Sequence, residues 1–435
     1  MIYPDNSKVT YQYDKTLLKQ STLANGQHIT WNSYQWLAPT QISYPGATLK
    51  TNYDALLRPL TINVTGKNNS VLMNRIYQYT QAGNIGKRQT EQGHINYQYD
   101  LLDRLIEAKP DQALQTLGLP DEGYTYDAIS NRIGSRHQPG EWQYNSHDQL
   151  IRWGTGSQQE NLAYSPTGQL TQKKTALETL DYGYNTADRL TCIKRNNTEI
   201  AIYHYNPFGQ RISKQINGET TYYLYTDEGL IGELNEQGQL QIAYGWKPDS
   251  EWGTQPLWQA NLNHSATTTG TLNNANYHYL YNDHLGTPQI AANSEGNATW
   301  QAQMQAFGET TPNRTNQITM NLRYPGQYFD AETGTHYNYY RDYNPRVGRY
   351  SQSDPIGLGG GINHYGYAEG NALRYKDPDG RVVWFGIPIA YWIAGGAATA
   401  AGSVCVASNC GQAAVDAVSS VSNTRLGNQT VGEST

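Results

Sequence analysis

Cysteine, methionine and phenylalanine are scarce in this chain of 435 residues, which has three Cys, four Met and four Phe. Three cysteines, Cys192, Cys405 and Cys410, cannot build a disulfide framework, and no Cys/His spacing predicts a zinc site. We therefore expect neither a metal nor a cofactor. Cys405 and Cys410 are either one pair formed in an oxidising compartment or two free thiols.

Charge is also sparse, because only 16% of the residues are Asp, Glu, Lys or Arg and the net charge is −6. No run of Lys or Arg occurs, which argues against a nucleic-acid partner. The stretch 1–14 lacks a basic region followed by an apolar one, so we expect no conventional signal peptide. With 37% hydrophobic residues the chain is also poor in helix-forming apolar residues.

Tyrosine and glycine are abundant, with 36 Tyr and 42 Gly. A disordered chain would not carry so many aromatic rings, and a helical one would need more Leu, Ala, Glu and Lys. Rings combined with Gly, Asn and Pro favour a β-rich chain with many turns. The fold class that we predict is all-β.

A Tyr-X-Tyr-Asp-like pattern recurs along the chain. Its second tyrosine, or the equivalent residue, falls at 79, 99, 126, 144, 164, 184, 205, 225 and 244, mostly at intervals near twenty. Each unit predicts a β-hairpin: an alternating strand, a turn and a return strand, as in Tyr203–Tyr205, Asn206–Gly209 and Gln210–Ile212. The Asp or Asn caps the turn and Gly takes the positive φ. Because single hairpins are marginal, stability must come from lateral stacking.

The units Tyr97-Gln-Tyr-Asp-Leu-Leu-Asp-Arg-Leu105 and Tyr124-Thr-Tyr-Asp-Ala-Ile-Ser-Asn-Arg132 resemble the YD repeats of Rhs proteins, insecticidal toxin-complex C subunits and teneurins. The resemblance covers residues 1 to 381. It implies one spiralling β-sheet, a hollow shell that in bacterial members encloses a variable C-terminal toxin. We expect a YD-repeat shell segment over 1–276. The chain is shorter than a complete shell, so we expect it to be the C-terminal part of one.

From Tyr277 the pattern changes to an ordered series of motifs that resembles the Rhs repeat-associated core, which we place at 277–381. The motifs are Tyr277-His-Tyr-Leu-Tyr-Asn-Asp-His-Leu-Gly-Thr-Pro288, Arg323-Tyr-Pro-Gly-Gln-Tyr-Phe-Asp330, Glu332-Thr-Gly334, Tyr337-Asn-Tyr-Tyr-Arg-Asp-Tyr-Asn-Pro345, Gly348-Arg-Tyr350, Asp354-Pro-Ile-Gly-Leu-Gly-Gly360 and Asp377-Pro-Asp-Gly380.

Asp354 and Asp377 each begin an Asp-Pro-X-Gly sequence, which by itself is a common turn. The resemblance implies more, since this core in the family is a self-cleaving aspartyl protease. Such chemistry needs two adjacent carboxyl groups, one protonated and one ionised, and a nearby guanidinium. Motif alignment points to Asp354 paired with Asp342 or Asp377, and to Arg341 as the electrostatic partner. Which two carboxylates pair stays open, and any enzyme activity is at most intramolecular.

Cleavage would fall between Arg381 and Val382. The family has Leu where this chain has Arg381, and we expect that the arginine would fit an apolar pocket poorly. His284, His336 and His364 also lie in this region, and as single histidines among tyrosines they are expected to be packed or surface residues.

The tail, 382–435, is too poor in charged residues and histidine to form an enzyme. Its first 26 residues, 382–407, carry no charge and are long enough for a membrane-spanning helix. Three interpretations stay open: a membrane-active effector segment, the remnant of a toxin, or an apolar plug inside a shell. In the first of these the segment would contact a membrane.

The predicted function is a polymorphic-toxin shell that contains its own C-terminal segment and releases it by cleavage. Expected partners are that segment, a cognate immunity protein, and an upstream shell fragment or secretion-system component. The expected location is outside a bacterial cell or on its surface, reached by a specialised delivery system. The alternatives are an extracellular module that binds carbohydrate or protein without catalysis, and an orphan fragment of a shell gene.

Overall fold

The computed structural model describes residues 1–264 and 269–385. Its first sheet has twelve antiparallel strands, each hydrogen-bonded to the next strand of the chain. They are β1 (Thr10–Asp14), β2 (Leu17–Thr22), β3 (His28–Gln35), β4 (Ala38–Tyr44), β5 (Ala47–Tyr53), β6 (Pro59–Gly66), β7 (Val71–Tyr79), β8 (Ile85–Gln89), β9 (His94–Tyr99), β10 (Leu105–Pro110), β11 (Glu122–Tyr126) and β12 (Arg132–Ser135). A short helix α1 (Gln112–Thr116) follows β10.

The second sheet continues the same order with sixteen strands. They are β13 (Gln143–Tyr144), β14 (Leu150–Trp153), β15 (Glu160–Tyr164), β16 (Leu170–Lys174), β17 (Thr179–Tyr184), β18 (Leu190–Arg195), β19 (Thr198–Tyr205), β20 (Arg211–Ile216), β21 (Glu219–Thr226), β22 (Gly229–Leu234), β23 (Leu240–Trp246), β24 (Pro256–Asn261), β25 (Asn276–Asn282), β26 (Pro288–Ala292), β27 (Ala298–Met304) and β28 (Thr310–Pro312). The all-β hairpin prediction is confirmed. The sheet runs on through Tyr277, where the sequence motifs change.

A four-stranded sheet follows, of β29 (Tyr328–Asp330), β30 (Thr335–Asn338), β31 (Arg341–Asn344) and β32 (Arg349–Tyr350). The described chain ends with a two-stranded pair, β33 (Tyr375–Lys376) and β34 (Trp384–Phe385). Single 3-10 turns lie at Gly156–Gln158, Gly357–Gly360 and Ala368–Gly370. Residues 320–385 are called the junction module below.

The turns of the repeat follow from its Asp and Asn side chains. Asp100 Oδ1 accepts hydrogen bonds from the backbone N–H groups of Leu102 and Arg104, both at 3.0 Å. Asn185 makes the same two contacts further along the chain. The side-chain oxygen therefore replaces backbone partners that a tight turn cannot supply. Gly209 takes the positive φ in its turn as expected, whereas Asp188 does so in the Asn185 turn.

The second tyrosine of each repeat does more than pack. In most hairpins the strand register shifts at this residue, as it does between Gly183 and Tyr184, and such a bulge re-aims a side chain. The Tyr184 hydroxyl donates a hydrogen bond of 2.9 Å to the Leu170 carbonyl, near the start of the preceding return strand. The same contact is made by Tyr53, Tyr79, Tyr99, Tyr126, Tyr144, Tyr164, Tyr205 and Tyr225. A ladder of hydroxyl groups therefore ties each hairpin to the one before it.

The ladder also crosses the boundary between the two large sheets. The Tyr144 hydroxyl of β13 donates to the Arg132 carbonyl of β12 at 2.7 Å, although the backbones of these two strands are not paired. The two sheets are thus successive parts of one repeat array.

Removing one hydroxyl from this ladder is expected to weaken the fold measurably. Tyr184→Phe should lower the free energy of unfolding by about 1 kcal/mol, because it leaves the Leu170 carbonyl without its partner. Urea unfolding followed by tyrosine fluorescence measures this. Tyr222→Phe is the control, because Tyr222 is an exposed tyrosine outside the ladder. An equal loss in both variants would contradict the ladder's role.

The first sheet packs against the last strands of the second, and both contribute to one hydrophobic core. The Tyr44 ring lies 5.0 Å from the Tyr281 ring, and the Tyr3 ring lies 5.7 Å from Trp258. These edge-on and tilted contacts are favoured by the charge distribution of the rings. The array of hairpins therefore curls so that its first sheet packs against strands near its end.

One buried carboxyl group lies at this meeting of the sheets. Glu122 of β11 accepts hydrogen bonds from the Tyr124 hydroxyl and from the backbone N–H of Ala306, the latter at 3.1 Å. Burial raises the pKa of Glu122 to about 7. The folded protein therefore holds this proton more tightly than the unfolded chain does.

This raised pKa predicts that the shell is less stable at alkaline pH. The contribution of the protonated Glu122 is complete below pH 4.5 and is lost as the pH rises through about 7, to an extent on the order of 3 kcal/mol. Glu122→Gln, which cannot ionise, should reduce the fall in stability between pH 5 and pH 8. Urea unfolding at both pH values tests this, and an unchanged slope in the variant would contradict it.

The junction module lies on strands β16 to β20 of the second sheet. The backbone N–H of Leu170 donates to the Ser351 carbonyl at 3.0 Å, and the Tyr365 hydroxyl donates to the Gly168 carbonyl at 2.9 Å.

Within the described ranges no helix is long and apolar enough to cross a bilayer. The membrane interpretation of 382–407 concerns a segment that lies, beyond Phe385, outside the described residues, as do Cys405 and Cys410.

Candidate functional site

Strand β31 places Arg341 and Asp342 on opposite faces of the four-stranded sheet, because successive side chains of a strand alternate. Arg341 pairs in register with Asn338, and Asp342 pairs with Tyr337. Arg341 and Asp342, although neighbours in the sequence, therefore lie in different environments. The Arg341 face carries the candidate site.

The Arg341 guanidinium is buried and contacts four groups of the junction module. Its Nε donates to the Gly380 carbonyl at 2.5 Å, and its Nη1 donates to the His364 carbonyl at 3.1 Å. Its Nη2 lies 2.9 Å from Asp354 Oδ2 and 3.2 Å from Asp377 Oδ2. One guanidinium thus holds both Asp-Pro-X-Gly carboxylates.

Asp377 is the more enclosed of these two carboxylates. Its Oδ2 also accepts a hydrogen bond of 2.8 Å from the Tyr350 hydroxyl, and its Oδ1 accepts one of 3.0 Å from the backbone N–H of Arg381. Burial raises the pKa of Asp377 to about 6, although Arg341 acts in the opposite direction. Asp377 therefore binds a proton close to neutral pH.

Asp354 lies beside the segment that leads to the predicted cleavage point. Its Oδ1 accepts from the backbone N–H of Ile356 at 2.9 Å, which forms the turn that its motif predicts. A Cβ atom on Gly360 would lie 2.3 Å from Asp354 Oδ2 and 3.1 Å from the Arg381 carbonyl oxygen. The carboxylate and that carbonyl thus adjoin the same point, and only glycine leaves it open. Burial also raises the pKa of Asp354.

Asp342 is not brought into this cluster. Its Oδ2 accepts from the Gln352 side chain at 2.5 Å, and its backbone N–H donates to the same side chain at 2.8 Å. Burial raises its pKa to about 6, and the Asp330 carboxylate adds to the shift. Asp342 is a buried carboxyl group on the face turned towards the tyrosines of the repeat wall. Of the pairings left open by the sequence, the geometry brings together Asp354 and Asp377.

The histidines of this region are packed as expected. His336 is buried, with its Nδ1 at 2.7 Å from Gln327 Oε1, and burial holds its pKa well below the ordinary value. His284 contacts the Leu373 carbonyl at 2.7 Å through Nε2. His364 contributes its backbone carbonyl to Arg341 rather than its ring.

Two residues of the site were not selected from the sequence. Tyr350 donates to Asp377, and its ring lies 3.6 Å from the Arg341 guanidinium carbon. Asn338 donates to the Tyr350 hydroxyl at 2.7 Å and to the Asp377 carbonyl at 2.8 Å. Both stand within motifs of the junction series, but a motif does not reveal which member faces the carboxylates. Within residues 1–264 and 269–385 no cluster of His, Cys, Asp and Glu is suited to a metal ion.

Buried ion pairs fasten the junction module to the repeat wall. Asp330 accepts from Arg211 Nη2 at 3.0 Å and from Lys214 Nζ at 2.9 Å, and its second oxygen lies 2.6 Å from Arg211 Nη1. These cations hold the pKa of Asp330 below its usual value in spite of burial. The Arg211 guanidinium also lies 4.3 Å from the centre of the Tyr337 ring. The repeat arginine is therefore a structural anchor for the module.

Comparison with known proteins agrees with this architecture. A family profile described as teneurin YD-shell matches residues 2–228, which is more than half of the chain. The chain belongs to the teneurin YD-shell family. A second profile, described as RHS protein, matches residues 277–314 of this YD-shell chain.

Two curated relatives of the YD-shell chain are toxins. Double-stranded DNA deaminase toxin A of Burkholderia cenocepacia is 29% identical over 334 residues, covering 70% of this chain and 22% of the relative. Toxin protein Tse5 of Pseudomonas aeruginosa is 27% identical over 362 residues, covering 71% and 27%. The chain thus spans about a quarter of the length of these relatives.

Solved structures share the YD-shell fold. The Tc holotoxin pore of Photorhabdus luminescens aligns with a TM-score of 0.60 at 18% identity, over 89% of this chain and 22% of that one. The complex titled TcdB2-TccC3-Cdc42 aligns with a TM-score of 0.61 at 19% identity, over 86% and 21%. At these identities the likeness concerns the fold alone.

Proposed function

We propose that this chain forms the C-terminal wall of a bacterial toxin shell, which contains its own C-terminal segment and cuts the junction between Arg381 and Val382. Membership of the YD-shell family and the two toxin relatives support the containment role. The single observation that carries the cleavage role is the convergence of Asp354, Asp377 and Arg341 beside the Arg381 carbonyl.

The chemistry is peptide hydrolysis by a pair of carboxyl groups. The ionised carboxyl takes a proton from water, and the water oxygen bonds to the carbonyl carbon of Arg381. The bond from that carbon to the Val382 nitrogen breaks, and the protonated carboxyl gives its proton to this nitrogen. Burial raises the pKa of both Asp354 and Asp377, which favours retention of a proton by the pair.

Arg341 supports both carboxyl groups in this reaction. It contacts each of them through the same nitrogen, and its Nε holds the Gly380 carbonyl one residue before Arg381. The Arg381 N–H donates to Asp377, so the Gly380–Arg381 peptide, which directly precedes the bond to be cut, is held at its carbonyl and at its N–H. The substrate segment is therefore held by two hydrogen bonds before any reaction begins, which favours a fast intramolecular step.

Intact-mass measurement of the full chain after expression tests this function. We expect a C-terminal fragment of 54 residues that begins at Val382, and its complete loss in Asp354→Asn and in Asp377→Asn. Asp188→Asn, at an exposed turn of the repeat wall, is the control and should release the fragment normally. Uncut protein in a folded wild type would refute the cleavage role. Asp342→Asn should still release the fragment, because Asp342 lies on the other face of β31.

The proposed partners follow from the containment role. They are the released segment itself, an immunity protein against it, and further shell repeats or a delivery component that complete the wall. The YD-shell relatives are about four times as long as the matched region, which supports the need for further repeats. Membrane contact by 382–407 and delivery by a specialised system belong to the same proposal.

A further inference from the structure

We propose that Asp379 and Tyr340 form a recognition site for the arginine at the proposed cut, so that this shell selects Arg381. This inference rests on the proposed self-cleavage and names its specificity residues. Arg381, Asp379 and Tyr340 would together set which side chain can stand before the broken bond.

The carboxylate of Asp379 contacts both the side chain and the backbone of Arg381. Two guanidinium nitrogens of Arg381 donate to the same oxygen, Asp379 Oδ2, Nη2 at 2.7 Å and Nε at 3.0 Å, and hydrogen bonds between charged groups are the stronger kind. Asp379 Oδ1 accepts from the Arg381 N–H at 3.1 Å, next to the bond from that N–H to Asp377. The charge that holds the side chain therefore also positions the peptide.

The ring of Tyr340 supplies the second half of the site. The Arg381 guanidinium carbon lies 3.9 Å from the ring centre, within the range of a favourable cation–π contact. The backbone N–H of Tyr340 donates to the Asp379 carbonyl at 3.1 Å, so ring and carboxylate are held at a fixed spacing. Both therefore meet the same guanidinium.

The repeat wall also contacts Tyr340. Arg189 donates to the Tyr340 carbonyl at 2.5 Å, and its guanidinium carbon lies 4.2 Å from the ring centre. Arg189 belongs to the repeat and not to the junction module. The wall thus helps to shape the site that reads residue 381.

This geometry suits arginine and no other side chain equally well. Leucine at 381 would leave the Asp379 carboxylate without its cation, and lysine would lose the paired contact and the flat stacking surface. Because Asp379 occupies the variable position of Asp-Pro-X-Gly, the carboxylate and the arginine stand two residues apart in one motif. An apolar residue at 379 would instead suit leucine at 381.

The test is a double-mutant cycle on the full chain, with the half-time of fragment release measured by mass spectrometry during cell-free synthesis. Arg381→Leu and Asp379→Leu should each slow release about tenfold, since each leaves one charged partner unpaired at the cut. The double variant should return to within about threefold of the wild-type rate, because both unpaired groups are gone and the N–H of residue 381 keeps its hydrogen bond to Asp377. Arg152→Leu, which removes an exposed pair with Glu141, is the matched control and should release at the normal rate.

The outcomes separate this inference from the proposed function. A folded wild type that releases no fragment defeats self-cleavage as a whole. If the wild type releases the fragment and Arg381→Leu releases it equally fast, recognition by Asp379 is overturned while self-cleavage stands. The same conclusion follows if the slowing is additive in the double variant. Thermal unfolding of the same variants in the uncut Asp354→Asn background should give unchanged midpoints. If Asp379 and Arg381 only stabilised the fold, their substitution would lower these midpoints.

Discussion

Arg341→Met is expected to slow release of the 54-residue fragment by about 100-fold or more, since removal of one fixed electrostatic donor commonly costs that much. The guanidinium contacts Asp354, Asp377 and the Gly380 carbonyl, so its loss frees both carboxyl groups and the strand that they would cut. No other cation is paired with Asp354 or Asp377 in the part of the chain that the structure describes. Fragment release followed over time by intact mass measures the effect.

The pH dependence of the surviving activity gives this prediction a second readout. Arg341 lowers the pKa of Asp354 and of Asp377 against the effect of burial, so both pKa values should rise further without it. The pH optimum of Arg341→Lys, which keeps a charge, should then lie between those of the wild type and Arg341→Met. Arg346→Met is the control, because Arg346 belongs to the same module but pairs with Glu160 and not with either carboxyl group of the site. Release by Arg341→Met at the wild-type rate would contradict the assignment.

Arg211→Met is expected to lower the free energy of unfolding by about 3 to 5 kcal/mol, because it leaves the Asp330 carboxylate buried with Lys214 as its remaining cation. Arg211 and Asp330 are both almost fully buried, so water cannot replace the lost contact. The same change removes the stack of the guanidinium on Tyr337. Urea unfolding of a variant that also carries Asp354→Asn measures the loss without interference from cleavage.

Two further variants identify the cause of this loss. Arg211→Met combined with Asp330→Leu should recover much of the stability, because no unpaired charge is then buried and Lys214 keeps its contact with Glu332. Arg152→Met, which breaks an exposed ion pair, should leave the free energy of unfolding almost unchanged. A loss in Arg211→Met as small as that of the control would show that the anchor is not needed.

The repeat wall could be predicted from the sequence because its rules are local. A turn such as Asp100–Arg104 is closed by a side chain two and four residues from its partners, and the alternating tyrosines before it define the strand. The hydroxyl ladder could not be predicted in the same way. Tyr184 and Leu170 are 14 residues apart, and the bulge that turns the ring towards the carbonyl cannot be recognised from the amino-acid sequence.

The junction shows the same limit more clearly. The motifs indicated four charged residues, Arg341, Asp342, Asp354 and Asp377, but not which of them meet. Strand alternation divides Arg341 from Asp342, and the folding of three separate segments brings Asp354 and Asp377 onto one guanidinium. The poor fit expected for Arg381 was based on an apolar pocket, whereas the structure surrounds this side chain with Asp379 and Tyr340.

The amino-acid sequence by itself therefore determined the β-hairpin, its length and its turn chemistry, since these depend on neighbours within a few residues. Only the tertiary structure decided that β31 turns Arg341 towards Asp354 and Asp377 and turns Asp342 towards the repeat wall. It also decided that Arg211 and Arg189 of the repeat contact the junction module. The physical reason is that these buried charges are stabilised by partners distant in sequence. Such partners, for example Arg211 and Asp330, come within hydrogen-bonding distance only when the junction module packs on the repeat wall.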